Sequence, residues 1–310
     1  MRRLGLKKNG IHDDYRNLFM FVATLMTGHE ATRLDPTLVE TVRDEWRGGA
    51  VLWLASGVAA EFSTPRMPCD YLCVRSKLQE LGVDLVVQRA EGRRKRMLLA
   101  DMDSTMIRQE CIDELAAEAG VGAHVAAVTI RAMNGELDFG EALRERVGLL
   151  KGLPVDIVRR VYENRIVLTP GGRELVATMK AHGAHTALIS GGFTAFSARV
   201  SEALGFDEHR ANVLNVRAGK LTGTVAEPIL GRDAKTAALR EISERLGLDP
   251  VEAMAVGDGA NDLGMLALAG TGVAFHARPT VAEKSDIRVD HGDLTALLYV
   301  QGYRRDEFVN

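Results

Sequence analysis

The chain has 310 residues, 46% of them hydrophobic and 26% charged, a balance that excludes intrinsic disorder and leaves room for two ordinary domains. A net charge of −3 removes any bulk electrostatic reason to expect a nucleic acid or an anionic membrane as partner, so basic groups that hold a phosphate must be local. Three cysteines, Cys69, Cys73 and Cys111, are too few for a disulfide framework and lack the partners of a zinc set. They read as buried or half-buried free thiols in a reducing cytosol.

No stretch reaches the ~20 apolar residues of a membrane span. The opening Met1-Arg2-Arg3 is basic, but no secretory apolar core with a small-residue cleavage site follows, which predicts a cytoplasmic location. Leu18–Thr27 predicts a strand. Asp35-Pro36 then starts a helical pattern through Val39, Val42 and Trp46, closed by Gly48-Gly49. Ala50–Ser56 and Val58–Phe62 predict two short strands. Tyr71, Val74, Leu78 and Leu81 recur at helical spacing up to Gly82, and Val83–Gln88 predicts another strand. The order β-α-β-β-α-β predicts a ferredoxin-like α+β domain over residues 17–90. Glu91–Arg96, with four basic residues in succession, reads as a solvated linker.

From Met97 the pattern changes, opening a second domain over 91–310. Met97-Leu98-Leu99-Ala100 is a continuous apolar run ending in Asp101, as in a parallel strand buried on both faces. Helical patterns over Cys111–Ala119, Val121–Met133, Phe139–Leu150 and Val155–Glu163 follow with no strand between them, a helical cap inserted at about 108–168. Helix and strand then alternate: Gly171–His182 helical, His185–Ile189 a strand, Phe193–Leu204 helical. A hairpin is expected from Asn212–Val216 and Lys220–Val225. Ala234–Leu246 is helical, Ala253–Val256 a strand, Leu263–Ala269 helical, Gly272–Phe275 a strand and Leu294–Val300 helical. The alternation predicts an α/β fold with a Rossmann-like parallel sheet covered on both faces.

Such sheets bind ligands at the carboxyl ends of their strands, where four segments place polar residues. Asp101-Met102-Asp103-Ser104-Thr105 leaves the first strand with two carboxylates that can share a side and need a cation between them. One carboxylate can attack phosphorus and the other can handle the leaving-group proton, although a helix-capping loop has the same composition. Ser190-Gly191-Gly192 follows a strand and offers backbone N–H groups to a phosphate, or is an ordinary turn. Lys235, near the start of a helix, can neutralise phosphoryl oxygens or be a surface lysine. Gly257-Asp258-Gly259-Ala260-Asn261-Asp262 crowds two more carboxylates onto the same end of the sheet.

In this order and spacing the four segments resemble the haloacid dehalogenase-like hydrolase superfamily, phosphatase branch, and within it the phosphoserine phosphatase family, over about Met97 to Tyr299. The resemblance implies Asp101 as nucleophile, Asp103 as general acid/base, and Mg²⁺ held by Asp101, Asp258 and the backbone carbonyl of Asp103. It implies Ser190, Gly191 and Lys235 as phosphate-holding residues, with Asn261 and Asp262 in support. In the cap it implies Glu110 for a substrate ammonium, Arg146 for its carboxylate, and Met133 and Phe139 as apolar cover. The implied reaction is hydrolysis of O-phospho-L-serine through an aspartyl-phosphate, the last step of serine biosynthesis. Another small phosphomonoester is the alternative substrate, and a homodimer is left open. A receiver-like signalling domain also gathers acids around Mg²⁺, but it lacks the second Asp and the helical insertion. Met102 stands where the family usually has Phe, an apolar exchange that leaves the chemistry untouched. Residues 17–90 loosely resemble the ACT-like extensions of some bacterial members, and residues 1–16 have no recognised counterpart.

Overall fold

The structure, a computed structural model, describes residues 21–28, 33–133 and 136–310, with the Met133 side chain outside the description. Residues 1–16 and the expected start of the first strand at Leu18 lie outside the described residues. The chain forms two units that divide between Arg93 and Arg94.

The first unit runs β1 (Phe21–Met26), α1 (Pro36–Glu45), β2 (Leu52–Ala55), β3 (Ala59–Thr64), α2 (Tyr71–Glu80) and β4 (Asp84–Arg89). Its sheet has the order β2-β3-β1-β4, with β1 antiparallel to both β3 and β4. This is the ferredoxin-like α+β arrangement. Asp35 caps α1 by accepting the Thr37 N–H at 2.8 Å, and Pro36 occupies the first turn, where no N–H is needed. Alternation along β1 puts Ala23 and Leu25 into one core with Val39 and Val42 of α1 and Val74 and Leu78 of α2.

The second unit begins with β5 (Met97–Ala100), followed by α3 (Cys111–Glu118), α4 (Gly122–Met133), α5 (Phe139–Gly148) and α6 (Asp156–Arg165). Then come α7 (Gly172–Ala181), β6 (His185–Phe193), α8 (Thr194–Leu204), β7 (Glu208–Asn212), β8 (Leu214–Arg217), β9 (Lys220–Val225) and α9 (Arg232–Leu246). The remainder is β10 (Ala253–Gly257), α10 (Leu263–Leu268), β11 (Thr271–Phe275), α11 (Pro279–Ala282), β12 (Ile287–Val289) and α12 (Ala296–Val300). A parallel six-stranded sheet has the order β12-β11-β10-β5-β6-β7. β5 lies between β10 and β6, and all of its residues are buried, which is why its sequence is an unbroken apolar run. On one face Met97 and Leu99 pack against Ala238, Leu239 and Ile242 of α9 and Met265 of α10. Helices α3 to α6 are strung between two chain segments that meet in an antiparallel bridge, Ile107 with Leu168.

The structure departs from the sequence pattern in several places. Asn212 ends a strand, β7, that was not expected, instead of opening the hairpin, which is β8 and β9. Glu208-His209-Arg210 has no apolar signal because β7 is the edge of the sheet and stays partly exposed. The three-residue β12 and the four-residue α11 are too short to announce themselves. Cys69 and Cys73 are exposed, and Cys111 alone among the cysteines is buried. The basic run is only partly solvated: Arg94 and Arg96 are exposed, but Arg93 pairs with Glu61 at 2.6 Å, and Lys95 is buried with Nζ donating to Val251 O at 2.9 Å. The backbone N–H of Lys95 donates to Gln301 Oε1 at 3.0 Å.

Candidate active site

The site grows from the carboxyl end of β5. Asp101 is still extended (φ −71, ψ 161), and its N–H donates to Val256 O at 3.0 Å, so the adjoining strand fixes where its carboxylate emerges. Beyond it the chain folds into a tight loop, closed by the Ile107 N–H on Met102 O at 3.0 Å. Ser104 takes φ 55, a left-handed conformation that costs a non-glycine residue energy and is held here by its surroundings. Its N–H donates to Gln109 O at 3.1 Å, and its hydroxyl donates to Glu110 Oε1 at 2.8 Å. Asp103 Oδ1 accepts the Cys111 N–H at 3.2 Å. The loop therefore aims Asp101, Asp103 and Glu110 into one space.

Lys235, on the first turn of α9, is buried, and its ammonium stands 2.6 Å from both Asp101 Oδ1 and Asp262 Oδ1. Burial alone would weaken its proton affinity, but the two carboxylates outweigh burial and raise it above the ordinary lysine value. Asp262 also accepts the Gly259 N–H at 2.9 Å, and Asp258 accepts the Thr105 hydroxyl at 3.1 Å. Asn261 lies inside the same turn, closed by the Asp262 N–H on Gly259 O at 3.0 Å. Oxygen atoms of Asp101, Asp258 and Asp262 lie within 4.8 Å of one another.

The cost of this crowding is visible in the carboxyl groups. Burial, then Asp262, pushes Asp101 well above the usual carboxylate range, with Lys235 opposing. Burial, then Asp262 and Glu110, raises Asp258 to about 6. Asp103 is pushed up to about 7 by burial and then Glu110, against the hydrogen bond from Cys111. Lys235 favours the ionised form of Asp101, while its neighbours favour the neutral one. We take the lysine as charged, because two carboxylate oxygens flank one ammonium. Three carboxylates against one ammonium leave excess negative charge, and an all-oxygen donor set of this kind suits a hard divalent cation.

Beside these acids lies the bulged end of β6 after Ile189, a turn-like break in the strand pairing. The Ser190 hydroxyl accepts the Gly192 N–H at 2.9 Å. A Cβ on Gly192 would stand 2.6 Å from Asp103 Oδ2, so any larger residue here would push that carboxylate aside. Gly192→Ala is expected to displace Asp103 and lower the turnover number about 10²-fold with a small change in melting temperature, checked by single-turnover kinetics beside thermal unfolding. Phe139, the first residue of α5, lies against the same turn, its ring 3.1 and 3.2 Å from where Cβ atoms on Gly191 and Gly231 would be. Arg146 of α5 is half-buried, with Nε donating to Ala142 O at 3.2 Å. Burial lowers its proton affinity, while the carboxylates of Asp113, Glu110 and Asp103 oppose this.

Asp101, Asp103, Glu110, Phe139, Arg146, Ser190, Gly191, Lys235, Asp258, Asn261 and Asp262 thus gather around one space. Met133 ends α4, but its side chain lies outside the described residues. Sequence reasoning missed Thr105, which holds Asp258, although it stands in the quoted motif. It also missed Asn212, whose polar strand gave no sign of a buried amide.

The haloacid dehalogenase-like hydrolase family model matches residues 98–267. The phosphoserine phosphatase of Archaeoglobus fulgidus is 44% identical over 229 residues, 73% of this chain and 66% of that protein, so the chain spans just under two thirds of that relative. The probable phosphoserine phosphatase of Schizosaccharomyces pombe is 40% identical over 276 residues, 86% of this chain and 91% of that one. A solved phospho-aspartyl intermediate analogue of phosphoserine phosphatase is 42% identical with a TM-score of 0.62, covering 66% of this chain and 98% of that chain. A family model over more than half of the sequence, and a yeast relative aligned over most of both chains, leave a single assignment: the chain belongs to the haloacid dehalogenase-like hydrolase family.

Proposed function

We propose that the chain is a Mg²⁺-dependent phosphoserine phosphatase that works through an aspartyl-phosphate on Asp101. The observation that carries this reading is the buried Asp101 carboxylate at the end of β5, 2.6 Å from Lys235, with the Ser190–Gly192 turn beside the acids. The relatives named phosphoserine phosphatase and the phospho-aspartyl analogue support it.

In the first step an Asp101 oxygen bonds to phosphorus as the bond from phosphorus to the serine oxygen breaks, and Asp103 gives that oxygen its proton. In the second step Asp103 takes a proton from water, whose oxygen bonds to phosphorus as the Asp101–phosphorus bond breaks. Inorganic phosphate leaves, and Asp103 is protonated again. A group raised to about 7 suits this alternation, since it can both give and take a proton near neutral pH. Lys235 and the N–H groups of the Ser190–Gly191 turn hold the phosphoryl oxygens. The carboxylates of Asp101 and Asp258 and the backbone carbonyl of Asp103 would hold Mg²⁺, which supplies further charge neutralisation to the phosphoryl group when bound. Asn261 and Asp262 support that end of the site.

The cap residues select the alcohol. Glu110 takes the substrate ammonium and Arg146 its carboxylate, while Phe139 and Met133 exclude water. Among the described residues no helix is long and apolar enough to cross a membrane. A small-molecule substrate, a cytoplasmic location and a place as the last step of serine biosynthesis complete the reading.

The test is phosphate release from phosphoserine, phosphothreonine and p-nitrophenyl phosphate. Activity is expected to vanish with a chelator and return with Mg²⁺, with phosphoserine highest in kcat/KM. Equal rates on all three would favour the alternative, another small phosphomonoester. Arg146→Ala is expected to raise KM for phosphoserine by about two orders of magnitude while p-nitrophenyl phosphate, which has no carboxylate, barely responds. A parallel loss on both substrates would remove Arg146 from substrate recognition.

A further inference from the structure

β6 and β7 keep parallel register up to Ile189 and Arg210 and regain it at Phe193 and Asn212. Over that interval β6 spends more residues than β7, so the ladder is broken by a bulge at Ser190, Gly191 and Gly192. Asn212 answers from its side chain. Its Nδ2 donates to Gly191 O at 2.9 Å and to Leu230 O at 3.2 Å, and its Oδ1 accepts the Leu230 N–H at 2.7 Å. The residue is 3% exposed, so these bonds are made in place of bonds to water. Only an amide can serve two carbonyls and one N–H from one position, since a carboxylate would face the carbonyl oxygens and an apolar group would leave all three unpaired.

The two segments joined in this way are the turn after Ile189 and the stretch Leu230–Gly231 that leads into α9, which carries Lys235. The Phe139 ring rests against both, over Gly191 and Gly231. One side chain therefore spaces the two walls between which the phosphoryl group would sit.

We propose that Asn212 is a positioning residue for the phosphate site: it holds the Ser190–Gly191 turn at a fixed distance from the segment that delivers Lys235, and so sets affinity for the phosphoryl group whatever alcohol carries it. The proposal rests on the reading of Ser190, Gly191 and Lys235 as the residues that hold phosphate. Its test titrates inorganic phosphate into the Mg²⁺-loaded full chain by calorimetry, comparing wild type with Asn212→Ala and Asn212→Ser, beside melting temperature and kinetics on p-nitrophenyl phosphate and phosphoserine. Phosphate affinity and kcat/KM are expected to fall together, about tenfold in Asn212→Ala, by the same factor on both substrates. A variant that melts earlier but keeps wild-type phosphate affinity overturns the proposal, because a purely structural role lowers stability alone. If Asn212→Ala does not fold, Asn212→Ser decides by the same criterion. A wild-type protein that binds phosphate but rejects phosphoserine would sink the substrate reading and leave this proposal standing. One that binds no phosphate would overturn it.

Discussion

Asp101→Asn is expected to lower phosphoserine turnover by about four orders of magnitude or more, while the protein melts no earlier than wild type. The amide keeps the shape of the carboxylate but has no charged oxygen able to bond to phosphorus. Stability should hold or rise, because burial first, and then repulsion from Asp262 and Asp258, already push Asp101 toward its neutral form, and Asp262 still answers the Lys235 ammonium. Functional sites commonly store such strain. Acid quenching during turnover with labelled phosphoserine should trap label on wild-type protein and none on the variant. Near-normal turnover in Asp101→Asn, or label trapped on it, would remove Asp101 as nucleophile.

Lys235→Met should cost the fold about 3–5 kcal/mol, the usual penalty for leaving buried charge without its partner. The ammonium stands 2.6 Å from each of two buried carboxylates, and methionine fills the same volume without answering either. Guanidinium unfolding followed by circular dichroism would read the loss, and activity should fall to background. Adding Asp262→Asn to Lys235→Met should recover part of the stability and none of the activity, since one unbalanced charge is removed and the phosphoryl group still lacks its cation. A single variant that unfolds at the wild-type midpoint would show that the pairing contributes nothing.

The parts of the site that could be read from sequence are those where chemistry restricts composition. Met97–Ala100 is buried on both faces, so its residues had to be apolar, and the carboxylate after them stood out. The turns at Gly191-Gly192 and Gly257–Gly259 were visible because close backbone approach admits little but glycine. β7 was hidden because an edge strand satisfies its polar residues with ion pairs, Arg210 with Glu241 at 2.7 Å among them, and shows no apolar alternation. Asn212 and Lys95 were hidden for a different reason. Their partners are backbone carbonyls far along the chain, Leu230 and Val251, and any sequence supplies a carbonyl. The positions of Phe139 and Arg146 over the site came from family resemblance, since helix periodicity does not say which distant turn a helix face meets.

The bridge between Ile107 and Leu168 has a consequence for how such a protein can change. The chain departs from the parallel sheet and returns to it at neighbouring points, so the ends of everything between them are already held together. The entropy of closing that excursion grows only slowly with its length. Helices α3 to α6 can therefore lengthen, shorten or be exchanged with little strain on β5, β6 or β10. On the reading proposed above, phosphoryl chemistry and choice of alcohol would then reside in separable parts, one at the sheet and the other in the insert.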